Sequence, residues 1–188
     1  MIVTGASGTG KTTLVGTIIS KLYGAGRTIL ACDHKPDRMT AMMAPLDRAR
    51  HAAFIQTAGE AANCLQWLRD TLEERAAGDQ EIFLILDDVP ALLRAEPRAS
   101  EVLGTLASIS RSAGIHVILC AQETSVNGIG ETLVGRNIPD RIVMRVDSGA
   151  TAARAAGRAD VPAHLLCGMG DALAVTSEGV TRIQVAMS

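Results

Sequence analysis

The chain has 188 residues, of which 47% are hydrophobic and 20% are charged, and its formal net charge is −2. This composition is typical of an ordered globular domain and argues against a disordered chain. The charge gives no overall basic field for nucleic acid, although a ring-shaped motor can place a few basic groups in its pore. The two phenylalanines, one tryptophan and one tyrosine are too few for a platform that stacks single-stranded bases.

The apolar runs and the cysteines bear on the cellular compartment in which the protein is expected. The longest runs, such as IFLIL, are too short to span a bilayer, and no secretory signal is present. We therefore expect a soluble protein of the cytoplasm, or of the host cytoplasm if it is viral. The cysteines occur singly and are expected to be small buried hydrophobic residues rather than disulfides or metal ligands: Cys32, Cys64, Cys120 and Cys167.

Short β-like runs alternate with longer helical stretches along the chain, which predicts an α/β fold with a mostly parallel sheet and helices on both faces. In chain order the predicted elements are a strand at MIVT, a helix from about Lys11 to Tyr23, a strand at RTILACD, a helix over EAANCLQWLRDTLEERAAG, a strand at EIFLILDD, a helix from about Glu101 to Ser112, a strand at IHVILCAQ, and strands at DRIVMRV, DALAVTS and VTRIQVA. The last two flank Glu178-Gly179 and predict a C-terminal β-hairpin. We expect residues 1–188 to form a single domain.

The stretch GASGTGKT at residues 5–12 matches G-x-x-x-x-G-K-[ST] and lies between a predicted strand and a predicted helix. Its glycines let successive backbone N–H groups point at phosphate oxygens, and the helix N-terminus adds positive charge. Lys11 is predicted to reach the β- and γ-phosphates of ATP, and the Thr12 hydroxyl to ligate Mg²⁺. The alternative is a glycine-rich turn that arose by chance. The predicted nucleotide-binding residues are Gly5, Ala6, Ser7, Gly8, Thr9, Gly10, Lys11, Thr12 and Thr13.

Two acidic residues follow the apolar strand IFLIL. A Mg²⁺–nucleotide site needs a carboxylate at the end of a buried strand, and Asp87 is in that position. Asp88 follows immediately and is a candidate general base for the attacking water. The alternative is that one of them caps the next helix. The spacing between Lys11 and Asp87 predicts an extra strand between the phosphate-loop strand and the Asp87 strand.

Gln122 ends the next strand, IHVILCAQ. A polar residue there, beside the Asp87 strand, can contact the γ-phosphate or the attacking water and act as a sensor. The alternative is an ordinary surface amide.

With these residues in place, the sequence resembles the motor domain of the FtsK/SpoIIIE family, within the FtsK–HerA group of DNA-pumping ATPases. The resemblance covers nearly the whole chain and rests on GASGTGKT, CDHKP, AANCLQW, LILDDVPALL, SRSAGIHVILCAQETSV, NIPDRIVMRV and LCGMGDAL, in the family's order. It implies a RecA-like P-loop NTPase core that assembles as a homo-oligomeric, usually hexameric, ring. In such a ring ATP lies between subunits and double-stranded DNA passes through the pore, without sequence-specific reading.

The resemblance also implies roles for several arginines. Arg111 matches the family's basic residue before the sensor strand, and Arg141 and Arg145 fall in the matching NIPDRIVMR stretch. One of them is expected to act across the subunit boundary as an arginine finger, and Arg111 ranks first. The alternative for each is a surface salt bridge.

Three positions depart from the family pattern. Asp88 stands where the family usually has Glu, so its carboxylate is one methylene shorter and hydrolysis is expected to be slow unless the water is repositioned. Glu123 replaces a basic residue, and Met169 replaces an arginine. Both changes remove positive charge and put the usual subunit or DNA contacts in doubt.

The expected function is an ATPase motor that translocates double-stranded DNA. An alternative is a viral or mobile-element packaging or DNA-transfer ATPase that acts only with a capsid, portal or membrane-complex partner. If the 188 residues are the whole protein, a motor core alone favours such a small replicon; if they are a fragment, a role in division or sporulation is open again. A small-molecule or nucleotide kinase and a nucleotide-gated scaffold with weak hydrolysis also stay open.

Overall fold

Eight strands form one sheet in the computed structural model, which describes residues 1–33, 52–76, 78–122 and 133–185. The strands are β1 Ile2–Gly5, β2 Thr28–Cys32, β3 Ala52–Ile55, β4 Ile82–Leu86, β5 Ile115–Gln122, β6 Arg141–Met144, β7 Asp171–Thr176 and β8 Gly179–Gln184. Their order in the sheet is β3-β2-β4-β5-β1-β6-β7-β8. In this order β5 stands between β1 and β4, which confirms the predicted extra strand.

The sheet is mostly parallel. Strand β2 pairs in parallel with β3 and β4, β4 with β5, and β1 with β6, whereas β7 runs antiparallel to both β6 and β8. The predicted α/β class and terminal hairpin are therefore confirmed. Thr176 pairs with Gly179, so the hairpin turn is at Ser177 and Glu178, one residue earlier than predicted.

The sequence predicted three of the six α-helices in the described residues, those that begin at Lys11, Ala58 and Ala99. The six helices are α1 Lys11–Gly24, α2 Ala58–Thr71, α3 Val89–Ala95, α4 Ala99–Ile109, α5 Leu133–Asn137 and α6 Gly149–Ala156. Within the described ranges, each helix is too short or too polar to cross a bilayer.

Helix α2 ends seven residues before Gly78, the predicted stop. A 3₁₀ turn at Leu72–Glu74 follows it, and the chain then leaves the helix at Arg75. The Arg75 guanidinium donates to the Ala113 carbonyl oxygen at 2.7 Å. This long-range contact favours the earlier end, because a continued helix would carry Arg75 away from its partner.

By its internal contacts the chain divides into two compact units. We call Met1–Thr17 with Cys120–Ser188 the terminal unit, and Ile18–Leu119 the central unit. The prediction of a single domain over residues 1–188 is not tested by this division and stays a prediction.

The core of the central unit forms where α2 packs against α4. Helix α2 buries Leu65 and Leu68, and α4 buries Leu103 and Leu106. Three- and four-residue spacings place such side chains on one face of a helix. Removal from water stabilises each fully buried leucine by roughly 1.5–3 kcal/mol.

The core of the terminal unit lies between the β6–β7 pair and α6. Val143 and Leu173 pack with Ala152 and Ala155 of the helix. The N-cap residue Ser148 accepts a hydrogen bond from the Thr151 N–H and so begins α6. These contacts hold the carboxyl end of β6 and the start of β7, which position the candidate site.

The cysteines are free thiols, but they do not share one environment. Cys32 and Cys120 are buried, Cys64 is partly exposed, and Cys167 is exposed. The prediction of buried cysteines is therefore wrong for Cys167, which begins the turn before β7.

Candidate functional site

The predicted site residues divide between the two units. The terminal unit contains the phosphate loop and Gln122, and the central unit contains Asp87, Asp88 and Arg111.

The phosphate loop joins β1 to α1. Gly8 and Gly10 have φ angles of 77° and 106°, in the left-handed region that favours glycine. A Cβ at Gly10 would lie only 3.1 Å from the Gly170 backbone nitrogen. Position 10 therefore needs glycine both for its backbone conformation and for this close approach.

Lys11 and the two threonines after it form the first turn of α1. The Lys11 Nζ donates to the Gly5 and Ala6 carbonyl oxygens, each at 2.7 Å, which holds the ammonium group over the loop. Thr12 and Thr13 are half-buried, and this first turn has no acidic side chain. The positive end of the helix dipole therefore favours an anion here.

Three hydrogen bonds support the loop from within the terminal unit. The Ala6 N–H donates to the Arg145 carbonyl oxygen at 2.9 Å, just beyond β6. The Thr9 hydroxyl donates to the Ala6 carbonyl at 2.9 Å, and the Gly170 N–H donates to the Thr9 carbonyl at 2.9 Å. The loop is thus tied to the end of β6 and to the turn before β7.

Gln122 is the last residue of β5, as predicted, and its side chain is exposed. Within the described part of the chain it makes no hydrogen bond to the phosphate loop. Its sensor role therefore stays a prediction.

Arg141 does not have the environment of an arginine finger. It is only 8% exposed, and its guanidinium donates to the Gly135 carbonyl at 2.9 Å and the Ala155 carbonyl at 3.1 Å. Burial lowers the pKa of this guanidinium. Arg141 is therefore a structural residue. The two roles predicted for it, an arginine finger and a surface salt bridge, are both wrong. Arg145, four residues later, is exposed.

Asp87 and Asp88 form a strand-to-helix turn in the central unit. The Asp87 N–H donates to the Cys32 carbonyl at 2.9 Å and so extends the β2–β4 pairing by one step. The Asp88 N–H donates to the Asp87 Oδ1, also at 2.9 Å. Asp88 is 7% exposed and has φ 46° and ψ 51°, a left-handed conformation that is strained for a residue with a side chain.

The structure contradicts the alternative that the Asp88 side chain caps the next helix. Asp88 occupies the N-cap position of α3, but its carboxylate makes no capping hydrogen bond. Its backbone carbonyl, instead, accepts from the Ala91 and Leu92 N–H groups. The Asp88 carboxylate therefore does not cap α3, and the left-handed backbone of Asp88 determines where this side chain is placed.

Residues 1–129 match the family model described as an AAA domain. The chain belongs to the AAA-domain family. It is an AAA-type P-loop ATPase domain. The phosphate-binding role of the loop over residues 5–12 stays a prediction. No curated protein matches the sequence.

Solved structures share the fold of this AAA domain at low sequence identity. The pCW3 conjugation coupling protein TcpA, solved with ATPγS, has a TM-score of 0.84 at 17% identity, covering 100% of this chain and 60% of that chain. The cytoplasmic domain of the Thermomonospora curvata type VII secretion ATPase EccC has 0.73 at 21%, covering 99% and 25%. The genome packaging NTPase B204 of Sulfolobus turreted icosahedral virus 2, with ATPγS, has 0.66 at 14%, covering 98% and 96%. The AAA domain thus spans 60% of the TcpA chain and a quarter of the EccC chain.

A buried carboxylate that the sequence analysis left without a role also lies in the central unit of the AAA domain. Asp33 directly follows β2, the strand paired with β4, and is 4% exposed. Burial first, and then Asp33 and Asp87 among other groups, raise the pKa of the Cys32 thiol to about 12. Both carboxylates therefore lie near Cys32. The sequence carries this signal, because Asp33, like Asp87, is an acidic residue directly after an apolar strand.

Arg111 lies in the 3₁₀ turn Ser110–Ala113 after α4, and its side chain is exposed. It has no side-chain partner among the residues that the structure describes. The finger role of Arg111 stays a prediction. Glu123 and the stretches HKP and ETSV lie outside the described residues.

Proposed function

We propose that this AAA domain is an ATP-driven motor of the FtsK/SpoIIIE type that moves double-stranded DNA. The observation that carries the ATPase part is the phosphate loop, with glycines in left-handed conformations and the Lys11 ammonium held over it. The DNA part is supported by the ordered resemblance and by the fold shared with a conjugation coupling protein and a genome packaging NTPase.

In this proposal the site residues have the roles that the sequence predicts. Lys11 binds the β- and γ-phosphates, Asp88 accepts a proton from the attacking water, and Gln122 senses the γ-phosphate. Arg111 acts from the neighbouring subunit of a ring, usually a hexamer, in the cytoplasm.

Thr12 and Asp87 are the proposed protein ligands of Mg²⁺. Their hydroxyl and carboxylate oxygens are donors that Mg²⁺ prefers, and one or two protein ligands suffice when phosphate oxygens and water complete the shell. Mg²⁺ would neutralise charge on the phosphates.

The proposal is tested by ATP hydrolysis of the purified chain with and without long linear double-stranded DNA. We expect DNA to stimulate ATP hydrolysis, and we expect the Lys11→Ala substitution to abolish ATP hydrolysis. Lys21→Ala is the matched control, because Lys21 is an exposed lysine in the last turn of the same helix. The motor fails as a proposal if DNA neither stimulates hydrolysis nor collects the protein into rings.

A packaging ATPase is the second candidate, favoured because the chain covers 96% of the B204 packaging NTPase. Its DNA stimulation would appear only when capsid or portal components are added. Stimulation by DNA alone would exclude this partner-dependent form.

A further inference from the structure

An exposed stripe of side chains runs along helix α2, away from the leucines that this helix buries in the core. Its members lie on the helix and on the 3₁₀ turn that follows it: Glu60, Asn63, Trp67, Asp70 and Glu74. Their alternating spacings of three and four residues place them on one face of the helix. We call this stripe the outer face of α2. At 1.5 Å per residue it is about 20 Å long.

Trp67 lies in the middle of the outer face and is the only tryptophan of the chain. It is 52% exposed, although tryptophan buries most of its surface in the average protein. Among the described residues its ring makes no stacking or cation–π contact, and its indole N–H donates no hydrogen bond. Tryptophan is enriched among the residues that anchor protein interfaces. The outer face therefore presents an anchor residue to solvent.

The charges around Trp67 are predominantly negative. Residues 57–81 contain six carboxylates and two arginines, a net charge of −4, whereas the whole chain has a net charge of −2. Both arginines already have partners within the chain. Arg69 donates to the Asp70 carboxylate at 3.1 Å, and Arg75 donates to two backbone carbonyls. The outer face is thus an acidic surface around an exposed aromatic ring.

This charge decides which class of partner the outer face suits. DNA carries a negative charge on every phosphate, so an acidic surface repels it. A second copy of this chain would bring a net negative charge to the same surface. A basic protein segment is complementary, because carboxylates accept charge-assisted hydrogen bonds from arginine and lysine. An indole ring also attracts a guanidinium group to its face, and arginine makes this contact more often than lysine does.

We propose that the outer face of α2 binds an arginine-rich segment of a partner protein. One guanidinium of the segment packs on the Trp67 ring, and others donate to the carboxylates of Glu60 and Glu74 near the two ends of the face. The surface belongs to the central unit, and this inference does not rest on the proposed motor function. A face of this length buries less area than a standard interface, so the complex is of the weak, transient class.

The test is a fluorescence titration of the full chain. Because Trp67 is the only tryptophan, its emission reports on the outer face alone. The probe is an alanine-based peptide without tryptophan that carries arginine at every third or fourth position, and its twin carries glutamate instead. We expect the arginine peptide to shift the Trp67 emission with a micromolar Kd. This affinity should fall several-fold when salt rises from about 0.05 to about 0.5 M, since ions screen exposed charges. The glutamate peptide should cause no shift.

Substitutions at position 67 separate a binding face from a merely acidic surface. Anisotropy of a labelled arginine peptide should show that Trp67→Ala weakens binding by about tenfold, as for anchor residues at other interfaces. Trp67→Tyr should recover part of the affinity, because a phenol ring also attracts a cation. Tm should change little, since residue 67 is half-exposed. Tyr23→Ala is the matched control at an exposed aromatic residue in the same unit, and it should bind like the wild type.

The carboxylates have a matched pair of their own. Glu74→Gln should weaken the arginine peptide a few-fold, whereas Glu178→Gln, at the exposed hairpin turn of the terminal unit, should not. Equal binding of the arginine and glutamate peptides, or full affinity in Trp67→Ala, would overturn the proposal. Sedimentation that shows the free chain as a dimer, which Trp67→Ala dissociates, would overturn it as well. The occupant of the outer face would then be a second copy of the chain.

Discussion

Two strand-to-helix turns carry the proposed chemistry, and they reach left-handed backbone conformations in different ways. The phosphate loop after β1 uses Gly8 and Gly10, which adopt positive φ without steric cost. The turn after β4 uses Asp88, whose φ of 46° is unfavourable for most residues with a side chain.

This difference follows from the chemical group that each turn has to expose, which is the backbone in one turn and a side chain in the other. A phosphate cradle presents backbone N–H groups, so side chains there are unnecessary and glycine is sufficient. A general base presents a side chain, so the turn must carry a carboxylate even where the backbone is strained. Asp and Asn tolerate the left-handed region better than longer residues do, which gives a physical reason for Asp88 where the resemblance leads one to expect Glu.

The largest expected effect is at the second turn. Asp88→Asn keeps a residue that tolerates positive φ but removes the base, so kcat should fall by roughly 10²–10⁴-fold while Tm changes little. Steady-state ATP hydrolysis and thermal unfolding measure the two quantities. Unchanged kcat in this variant would break the comparison, because Asp88 would then be strained without a chemical role.

The next largest effect concerns the structural role of Arg141, the first residue of β6. Arg141→Met leaves two buried carbonyls without their donor and should destabilise the fold by about 2–3 kcal/mol. Arg145→Met, in the same stretch but exposed, should change stability by less than about 0.5 kcal/mol. Urea denaturation measures both, and equal effects would contradict the structural assignment of Arg141.

A smaller effect is expected within the loop itself. Gly10→Ala introduces a Cβ at a φ of 106° and 3.1 Å from the Gly170 nitrogen, which should cost about 1–3 kcal/mol and weaken ATP binding. Gly8→Ala is the control, because its Cβ would meet no atom within 4 Å and only the backbone strain remains. Calorimetric titration with ATP compares the two variants. A larger loss in Gly8→Ala would show that the contact with Gly170 is unimportant.

The smallest effect concerns pH. Arg182 lowers the pKa of Asp171 to about 2, below the unfolded value near 3.9, so the ionised carboxylate stabilises the folded state above about pH 4. This contribution is lost as the pH falls from about 4 to 2. Asp171→Asn should flatten the stability profile in that window, and thermal unfolding between pH 2 and 5 measures it. An unaltered profile would show that the Asp171–Arg182 pair does not support the turn beside the loop.

Some features were predictable because they depend on local chemistry. The glycine spacing of residues 5–12, the helical spacing of Leu65 and Leu68, and the strand before Asp87 each follow from the conformational preferences of nearby residues. The early end of α2 was not predictable, since Arg75 leaves the helix for a carbonyl 38 residues away.

The sequence by itself determined the α/β class, the phosphate loop and the order of the polar residues after the strands, because periodicity and glycine content act over a few neighbouring residues. Only the tertiary structure decided that Arg141 is buried while Arg145 is exposed, that Asp88 is left-handed, and that the turn before β7 contacts the phosphate loop. These features depend on which distant segments pack together, and the desolvation and hydrogen bonding of a side chain are set by those segments and not by its neighbours in the chain.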